Sequence, residues 1–282
     1  MSTKTTGLSR ELARRIAEGD LELPPMPATA AEVMALCQQE STDAARLSAA
    51  VHKDQTIASN VLRVANSAAY AGQVPCASLQ QAVSRLGMQL ITEIAVAVAV
   101  RGRVFADARN AALLDGLWKH SVLTGFFTKE IARLRRRNVE IAFLCGLLHD
   151  VGKAVLVAAV EDDRAATAGH APDAELRDAL DEQHVAAGVH LAEQWQLPDQ
   201  VKEAIACHHQ PSAATKFSDM ARSVCLADLL SHHVAPAPGG PRVAEDELRS
   251  HDVLVGLNLY RDQLDALLGM QERALEVTEG LR

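Results

Sequence analysis

Apolar residues recur at helical spacing along almost the whole chain, and runs of β-branched residues are short. The clearest amphipathic stretch runs from Gly116 to Leu134, and the almost wholly apolar run Ile141–Leu148 is typical of a buried helix. Helices are predicted over residues 8–17, 29–37, 47–65, 79–100 (two helices divided near Gly87), 116–134, 141–148, 176–195, 198–208 and 217–232, with one or two more closing the chain. The pattern therefore predicts an all-α fold, a multi-helix bundle.

Breaks in this pattern suggest how the chain is divided. Three prolines interrupt residues 21–27, a polar loop is predicted over residues 161–173, and Pro and Gly mark a loop over residues 235–241. We expect a lead-in helix over residues 1–20, a main domain over residues 21–233 and a C-terminal helical extension over residues 234–282. Within the main domain, an N-terminal helical half covers about residues 21–105 and a second half about residues 106–233.

The composition narrows the function classes. With 282 residues, 48% of them hydrophobic, the chain can bury a sizeable core. A net charge of -8 and 3% aromatic residues argue against nucleic-acid binding, so the basic run Arg133–Arg137 is interpreted as a solvated helix end. Five scattered cysteines suit a reducing compartment. We see no signal peptide, and the most apolar window, Ile91–Val100, is too short to span a membrane. We expect a soluble cytoplasmic protein.

Candidate chemistry comes from histidines and aspartates that fall on the apolar faces of five predicted helices. These residues are His120, His149, Asp150, His184, His208, His209 and Asp228. A buried aspartate without a partner is costly, so it must be hydrogen-bonded, ion-paired or bound to a metal. One inward histidine is more often a hydrogen-bonded core residue than a ligand. Seven such residues together favour a metal site, and imidazole with carboxylate suits iron, manganese, zinc or similar divalent ions.

The order of these residues resembles a known superfamily. His120, the pair His149-Asp150 and then Asp228 resemble the ligand pattern of the HD superfamily of metal-dependent phosphohydrolases. The added His184, His208 and His209, with Gly152-Lys153, resemble the expanded site of its HD-GYP branch, which holds two metals and hydrolyses cyclic dinucleotides.

Other segments resemble the HDOD branch of the same superfamily, and this resemblance covers about residues 21–231. It rests on Leu23-Pro-Pro-Met-Pro27, Asp54 with Asn66-Ser67-Ala68-Ala69-Tyr70, Ala82-Val-Ser-Arg-Leu-Gly87, Trp195-Gln-Leu-Pro198 and His208-His209-Gln-Pro211. HDOD proteins are bacterial signalling modules built as helical bundles, and many of them have lost metal ligands. This chain keeps the complete set of seven. It departs from HD-GYP, because no Gly-Tyr-Pro follows the histidine pair, Gln210 replaces a glutamate and Gly116 supplies no further carboxylate.

The resemblance implies two divalent cations, iron or manganese first, with zinc or magnesium as alternatives. Asp150 would bridge them, and Lys153, one turn further on, would meet a phosphate oxygen; the alternative is a solvated lysine near a helix end. His232, one turn after Asp228, is expected to be exposed, with support of a metal ligand as the alternative.

Two functions are supported as hypotheses. The first is a regulatory HDOD module that carries the metal site and relays a signal through a protein partner. The second is a metal-dependent phosphohydrolase or cyclic-dinucleotide phosphodiesterase that acts through a metal-bridging hydroxide, with Asp150 and Lys153 as catalytic residues and a nucleotide or cyclic dinucleotide as ligand. Neither hypothesis requires a nucleic acid or a membrane.

Overall fold

The protein is helical throughout the part of the chain that the structure describes. The computed structural model describes residues 7–37, 39, 42–67, 70–167, 173–236 and 241–281, and no strand occurs among them. The predicted all-α fold is therefore confirmed. Residues 1–6 of the predicted lead-in, Ala68 and Ala69 of the resemblance segment, and residues 168–172 and 237–240 of two predicted loops lie outside the described residues.

The lead-in and the N-terminal half together contain five helices. They are α1 (Gly7–Glu18), α2 (Ala28–Cys37), α3 (Ala44–His52), α4 (Gln55–Ala65) and α5 (Leu79–Val104). Side chains that accept a backbone N–H hydrogen bond begin three of them: Asp43 caps α3, Asp54 caps α4 and Ser78 caps α5. Gly87 divides α5 as predicted, because its φ of 80° is a conformation that glycine tolerates best.

Six helices form the half that carries the candidate ligands. They are α6 (Ala111–Leu134), α7 (Val139–Leu148), α8 (Val151–Thr167), α9 (Asp173–Gln194), α10 (Asp199–Cys207) and α11 (Ser218–Val234). The predicted loop over residues 161–173 is wrong in its first part, because α8 continues to Thr167. Glu161–Thr167 contains no Gly or Pro, and its alanines and arginine favour helix, so polarity alone does not end α8.

Four short helices close the described chain where one or two were predicted. They are α12 (Glu245–Ser250), α13 (Asp252–Leu257), α14 (Arg261–Leu268) and α15 (Gln271–Gly280). The end of this extension is fixed to the core, because the buried Trp118 Nε1 donates a hydrogen bond to the Leu281 carbonyl oxygen at 3.1 Å. Arg101 Nη1 donates to the same oxygen at 3.3 Å.

Two helical stretches are long and apolar enough to cross a membrane by length and composition. They are Leu79–Val104 and Ile141–Val160, of which 56% and 78% are buried inside the protein. Mostly buried stretches of this kind are what the core helices of a water-soluble fold provide, since their apolar side chains already have packing partners.

Close helix packing around two glycines positions the candidate ligands. A Cβ atom at Gly146 on α7 would lie 2.5 Å from the Thr124 carbonyl oxygen of α6. A Cβ atom at Gly152 on α8 would lie 1.9 Å from the His184 carbonyl oxygen of α9. Only hydrogen fits at either position, so α7 and α8 approach their neighbours closely on both sides of His149-Asp150.

We expect Gly152→Ala to destabilise the protein by about 3 kcal/mol, because the new methyl group meets backbone atoms that cannot move independently. Gly102→Ala is the matched control: Gly102 is also helical, and a Cβ atom there has nothing within 4 Å. The control should leave stability unchanged or raise it by about 0.5 to 1 kcal/mol. Urea denaturation followed by circular dichroism measures both, and equal midpoints for the two variants would contradict the packing argument.

Candidate metal centre

All seven candidate ligands meet at one place, although five different helices or helix ends supply them. His120 comes from the middle of α6, His149-Asp150 from the junction of α7 and α8, His184 from α9, His208-His209 from the end of α10 and Asp228 from α11. His120, His149, Asp150, His184 and His208 are each at most 5% exposed. The inward positions predicted for these five residues are therefore confirmed.

One group of ligand atoms surrounds Asp228. Its Oδ1 lies 3.0 Å from His120 Nε2 and 3.6 Å from His149 Nε2. The same two nitrogens lie near Asp150 Oδ2, which is 3.9 Å from His120 Nε2 and 3.6 Å from His149 Nε2. Two imidazole nitrogens and two carboxylate oxygens therefore face a common point.

A second group surrounds the other oxygen of Asp150. Asp150 Oδ1 lies 3.2 Å from His184 Nε2 and 3.5 Å from His208 Nε2. His209 Nε2 completes the group, at 3.0 Å from His184 Nε2. Ligand atoms in this group lie within 4.8 Å of one another, and the same holds for His120, His149 and Asp150. Asp150 thus belongs to both groups and lies between them.

Backbone carbonyl groups orient three of the rings. Nδ1 of His149 donates to the Gly146 carbonyl oxygen at 2.8 Å, Nδ1 of His208 to that of Ile205 at 2.8 Å, and Nδ1 of His184 to that of Leu180 at 3.0 Å. A neutral ring whose Nδ1 carries the proton presents a lone pair at Nε2. Each Nε2 atom points into the cluster, so the helix backbone prepares these rings as acceptors.

This arrangement fits a cation better than a set of direct hydrogen bonds. His120 Nε2 and His149 Nε2 are 3.3 Å apart, and His184 Nε2 and His208 Nε2 are 3.4 Å apart. Asp150 Oδ1 is buried and receives no hydrogen bond, although His184 Nε2 is near it. The lone pairs of His184 and His208 therefore face one another, and a shared divalent cation would satisfy them together with Asp150 Oδ1. Nitrogen and oxygen donors without a thiolate suit iron, manganese or zinc.

The electrostatics keep both carboxyl groups ionised. Burial alone would raise the pKa of Asp150, but the charges of His149 and Lys153 lower it well below its usual value. Burial would likewise raise the pKa of Asp228, and the neighbouring imidazoles of His120 and His149 lower it. Burial lowers the pKa of His184 to about 4, so this ring is neutral and able to bind a metal at neutral pH.

Two polar residues differ from the sequence expectations. His209, predicted to face inward, is exposed because it follows the end of α10, although its Nε2 atom lies 3.0 Å from His184 Nε2. His232, expected to be exposed, is 13% exposed, and its Nε2 lies 3.4 Å from Asp228 Oδ1. The signal for His232 was present in the sequence: a residue one turn after an inward aspartate shares its helix face.

Lys153 lies at the cluster instead of in solvent. Its ammonium group contacts Asp150 Oδ2 at 2.7 Å and Asp181 Oδ1 at 3.5 Å, and its side chain is 15% exposed. Burial would lower the pKa of Lys153, but Asp150 raises it, so the group is charged at neutral pH. The alternative of a solvated lysine is therefore wrong.

A cavity of about 500 Å³ lies over the cluster, and His120, Asp150, His184 and Asp228 form part of its lining. Lys153 and Arg177 also line it. Sequence reasoning missed Arg177, which precedes His184 by two helical turns on α9 and therefore shares its face. The cavity is large enough for a small phosphorylated molecule to reach the ligand atoms.

Comparison with known sequences matches this site to one family. The model of the HDOD domain matches residues 23–211. An uncharacterised protein of Treponema pallidum is 25% identical over 238 residues, which cover 81% of this chain and 45% of that protein. Ribonuclease Y of Mycoplasma genitalium is 34% identical over 112 residues, 40% of this chain and 18% of that enzyme. The chain spans less than half the length of these curated relatives.

Solved structures share the fold. A protein from Shewanella amazonensis SB2B, proposed to be a metal-dependent phosphohydrolase, superimposes with a TM-score of 0.74 at 20% identity and 98% coverage of both chains. An HDOD domain protein of unknown function from Geobacter sulfurreducens gives a TM-score of 0.74 at 20% identity and 96% coverage of both. A protein from Marinobacter aquaeolei VT8, proposed to act in signal transduction, gives 0.72 at 22% identity, covering 99% of this chain and 67% of that one.

We expect the metal-free protein to lose stability as the pH falls from about 6.5 towards about 4, the usual and the folded pKa of His184. In this window the unfolded chain binds a proton at His184 and the folded chain does not, so acid favours unfolding. One such group contributes at most about 1.4 kcal/mol per pH unit. Urea denaturation at several pH values, in the presence of a chelator, measures the slope.

His184→Gln should reduce this slope by the contribution of one group, because His209 and His232, whose pKa values burial also lowers to about 4, keep theirs. His190→Gln, a half-buried position on the same helix but outside the cluster, should keep it. A slope that is the same in His184→Gln as in the parent protein would contradict the assignment.

Proposed function

The chain belongs to the HDOD family, and on that premise we propose that it is a bacterial signal-transduction module whose buried cluster holds two divalent cations. The observation that carries the proposal is the position of Asp150, whose two oxygens face two separate groups of imidazole nitrogens. In a purely structural core, these polar groups would be paired as donor with acceptor. Here acceptor atoms lie next to one another, which favours a bound cation.

The first cation would be held by His120, His149, Asp150 and Asp228, and the second by Asp150, His184, His208 and His209. Iron or manganese fits this mixture of imidazole and carboxylate, with zinc or magnesium as alternatives. His232, whose ring lies beside that of His120, would hold the same oxygen of Asp228, in the way that outer partners orient carboxylate ligands.

The domain bounds, the cellular location and the partner belong to the same proposal. We place the HDOD domain at about residues 21–233, divided near residue 105, with a lead-in helix before it and a helical extension after it. The module would act in the cytoplasm and pass its signal to a protein partner. The acidic net charge of -8 favours such a partner over nucleic acid.

A second candidate function is a metal-dependent phosphohydrolase, and the cavity over the cluster favours it. Hydrolysis adds water to phosphorus and breaks the ester P–O bond, so that an alcohol and a phosphate leave. When bound, two cations lower the pKa of a water molecule and offset charge on the phosphoryl oxygens. Lys153, charged and at the cavity wall, would contact a phosphoryl oxygen, and Asp150 would fix the position of both cations. A cyclic dinucleotide is one substrate of this class.

We expect about two metal ions per chain in protein purified without chelator or nickel resin, measured by elemental analysis. His149→Ala combined with Asp150→Ala should lose both ions, because it removes the shared carboxylate. Asp228→Asn and His209→Ala should each lose one ion, since each alters a ligand of one group only. His190→Ala, outside both groups, should keep two. Absence of metal from parent protein prepared with metal and reductant would refute the proposal.

We expect Lys153→Gln to lower hydrolysis of a chromogenic phosphodiester by about 100-fold or more while metal content stays at two. The variant removes the positive charge next to the phosphoryl group and keeps a side chain of similar length. Lys202→Gln, on α10 and away from the cavity, should leave the rate unchanged. An equal loss of hydrolysis rate in both variants would reject the phosphohydrolase function, and so would metal-loaded parent protein without activity. The signalling module would then be the remaining proposal.

A further inference from the structure

The cavity over the metal centre has walls of two kinds. Its base consists of ligand residues and of His232, which lies beside Asp228. The other polar lining residues, Lys153, Arg177, Asp181 and Glu247, carry charge. The rest of its lining is apolar: Leu113, Leu117, Leu180, Leu229, Pro241 and Val243. A bound molecule therefore has its charged end at the cluster and its remaining part against aliphatic side chains.

The apolar wall is formed by the same helix faces that present the ligands. Leu117 precedes His120 by three residues on α6, Leu180 precedes His184 by four on α9, and Leu229 follows Asp228 directly on α11. Residues at such spacings share a helix face or adjoin it. Aliphatic groups therefore stand directly beside the imidazole and carboxylate groups, within reach of any substituent on a bound phosphoryl group.

The C-terminal extension supplies the last part of this wall, beyond the residues that match the family model. Val243 is 5% exposed, and its carbonyl oxygen accepts a hydrogen bond from His233 Nδ1 at 2.9 Å. Leu248, in the next helix, is fully buried. These contacts fix the segment before α12 against α11, so the wall is a packed part of the protein.

The lining has few of the groups that usually read a nucleobase: among the described lining residues, His209, His232 and Arg177 are available for stacking on a base, but amide and hydroxyl side chains are missing. Among the described residues that line the cavity, none is Phe, Tyr, Trp, Asn, Gln, Ser or Thr. Proteins that recognise bases stack them on aromatic rings and pair their edges with amides and hydroxyls. Asp181 and Glu247 are the carboxylates left to accept from a base, and both are exposed at the rim. The walls thus favour an aliphatic or simple aromatic group over a base.

We propose that this cavity binds phosphate monoesters of apolar alcohols, with the phosphoryl group at the metal centre beside Lys153 and the apolar group against the leucine wall. The inference rests on the proposed metal site and adds the class of ligand. It applies to a signalling module that senses the ester and to an enzyme that hydrolyses it, because it concerns binding alone.

The test is calorimetric binding of inorganic phosphate and of methyl-, propyl- and hexylphosphonate to metal-loaded protein. Phosphonates imitate phosphate monoesters and have a P–C bond that water does not cleave, so turnover does not enter the measurement. Affinity should rise by about fourfold for each methylene group that the wall covers, hence by about 15-fold from methyl- to propylphosphonate. GMP, whose base offers donors to rim carboxylates, should bind no tighter than methylphosphonate.

Leu113→Asn and Leu229→Asn should remove most of the gain from chain length and leave methylphosphonate affinity unchanged. Both positions are half-buried, so a polar residue there is compatible with folding. Leu134→Asn, a half-buried leucine at the other end of α6 and outside the cavity, is the matched control and should keep the full gain.

The outcomes separate this inference from the metal site. Methylphosphonate binding that needs metal but does not improve with chain length would overturn the apolar ligand and leave the metal centre standing. Tighter binding of GMP than of hexylphosphonate would replace the inference with a nucleotide ligand. If affinity still rises with alkyl chain length in both leucine variants, the alkyl group binds elsewhere, and the inference is overturned as well. Absence of all phosphonate binding, with metal present, would reject a phosphoryl ligand altogether.

Discussion

The structure depends on the burial of one carboxylate, that of Asp150, at the junction of α7 and α8. A buried carboxylate is expensive unless positive charge or hydrogen bonds surround it. Here Lys153 and rings from three further helices and helix ends provide that environment, with contacts between 2.7 and 3.9 Å. The helices can reach this point only because Gly146 and Gly152 allow close approach. The close helix packing that forms the fold therefore also forms the site.

The orientation of the rings shows how the backbone prepares this site. His149, His184 and His208 each direct Nδ1 to a carbonyl oxygen three or four residues earlier in the chain. This leaves Nε2 free of protons and turned inward, which is favourable only if a cation or a proton donor lies there. The site is thus shaped by helix geometry, whereas Asp228 and Lys153 adjust its charge.

Helical periodicity was sufficient to predict the fold class and the inward direction of His120, His149, Asp150, His184 and His208. Periodicity fixes which face a residue occupies, and inward faces in one bundle must meet. It left open whether Lys153 and His232 turn towards Asp150 and Asp228 or into solvent. Each pair lies one turn apart along the chain, so the spacing permits the contact, but the side-chain conformation depends on how the surrounding helices pack. The end of α8 was misjudged for a different reason: a polar sequence without Gly or Pro looks like a loop but continues a helix.

The part of the chain beyond the matched residues shows why a family assignment leaves specificity open. The match ends at residue 211, yet Asp228, Leu229, His232 and Val243 all border the cavity or the cluster. The match thus covers six of the seven proposed ligands, whereas Asp228 and much of the apolar wall come from the chain beyond it. In the proposed site, the chain after residue 211 adds Leu229, Pro241 and Val243 to the apolar wall, so relatives that differ in this segment would surround a bound phosphoryl group with different side chains. In this chain those groups are aliphatic, and they are held in place by the packing of α11 and α12.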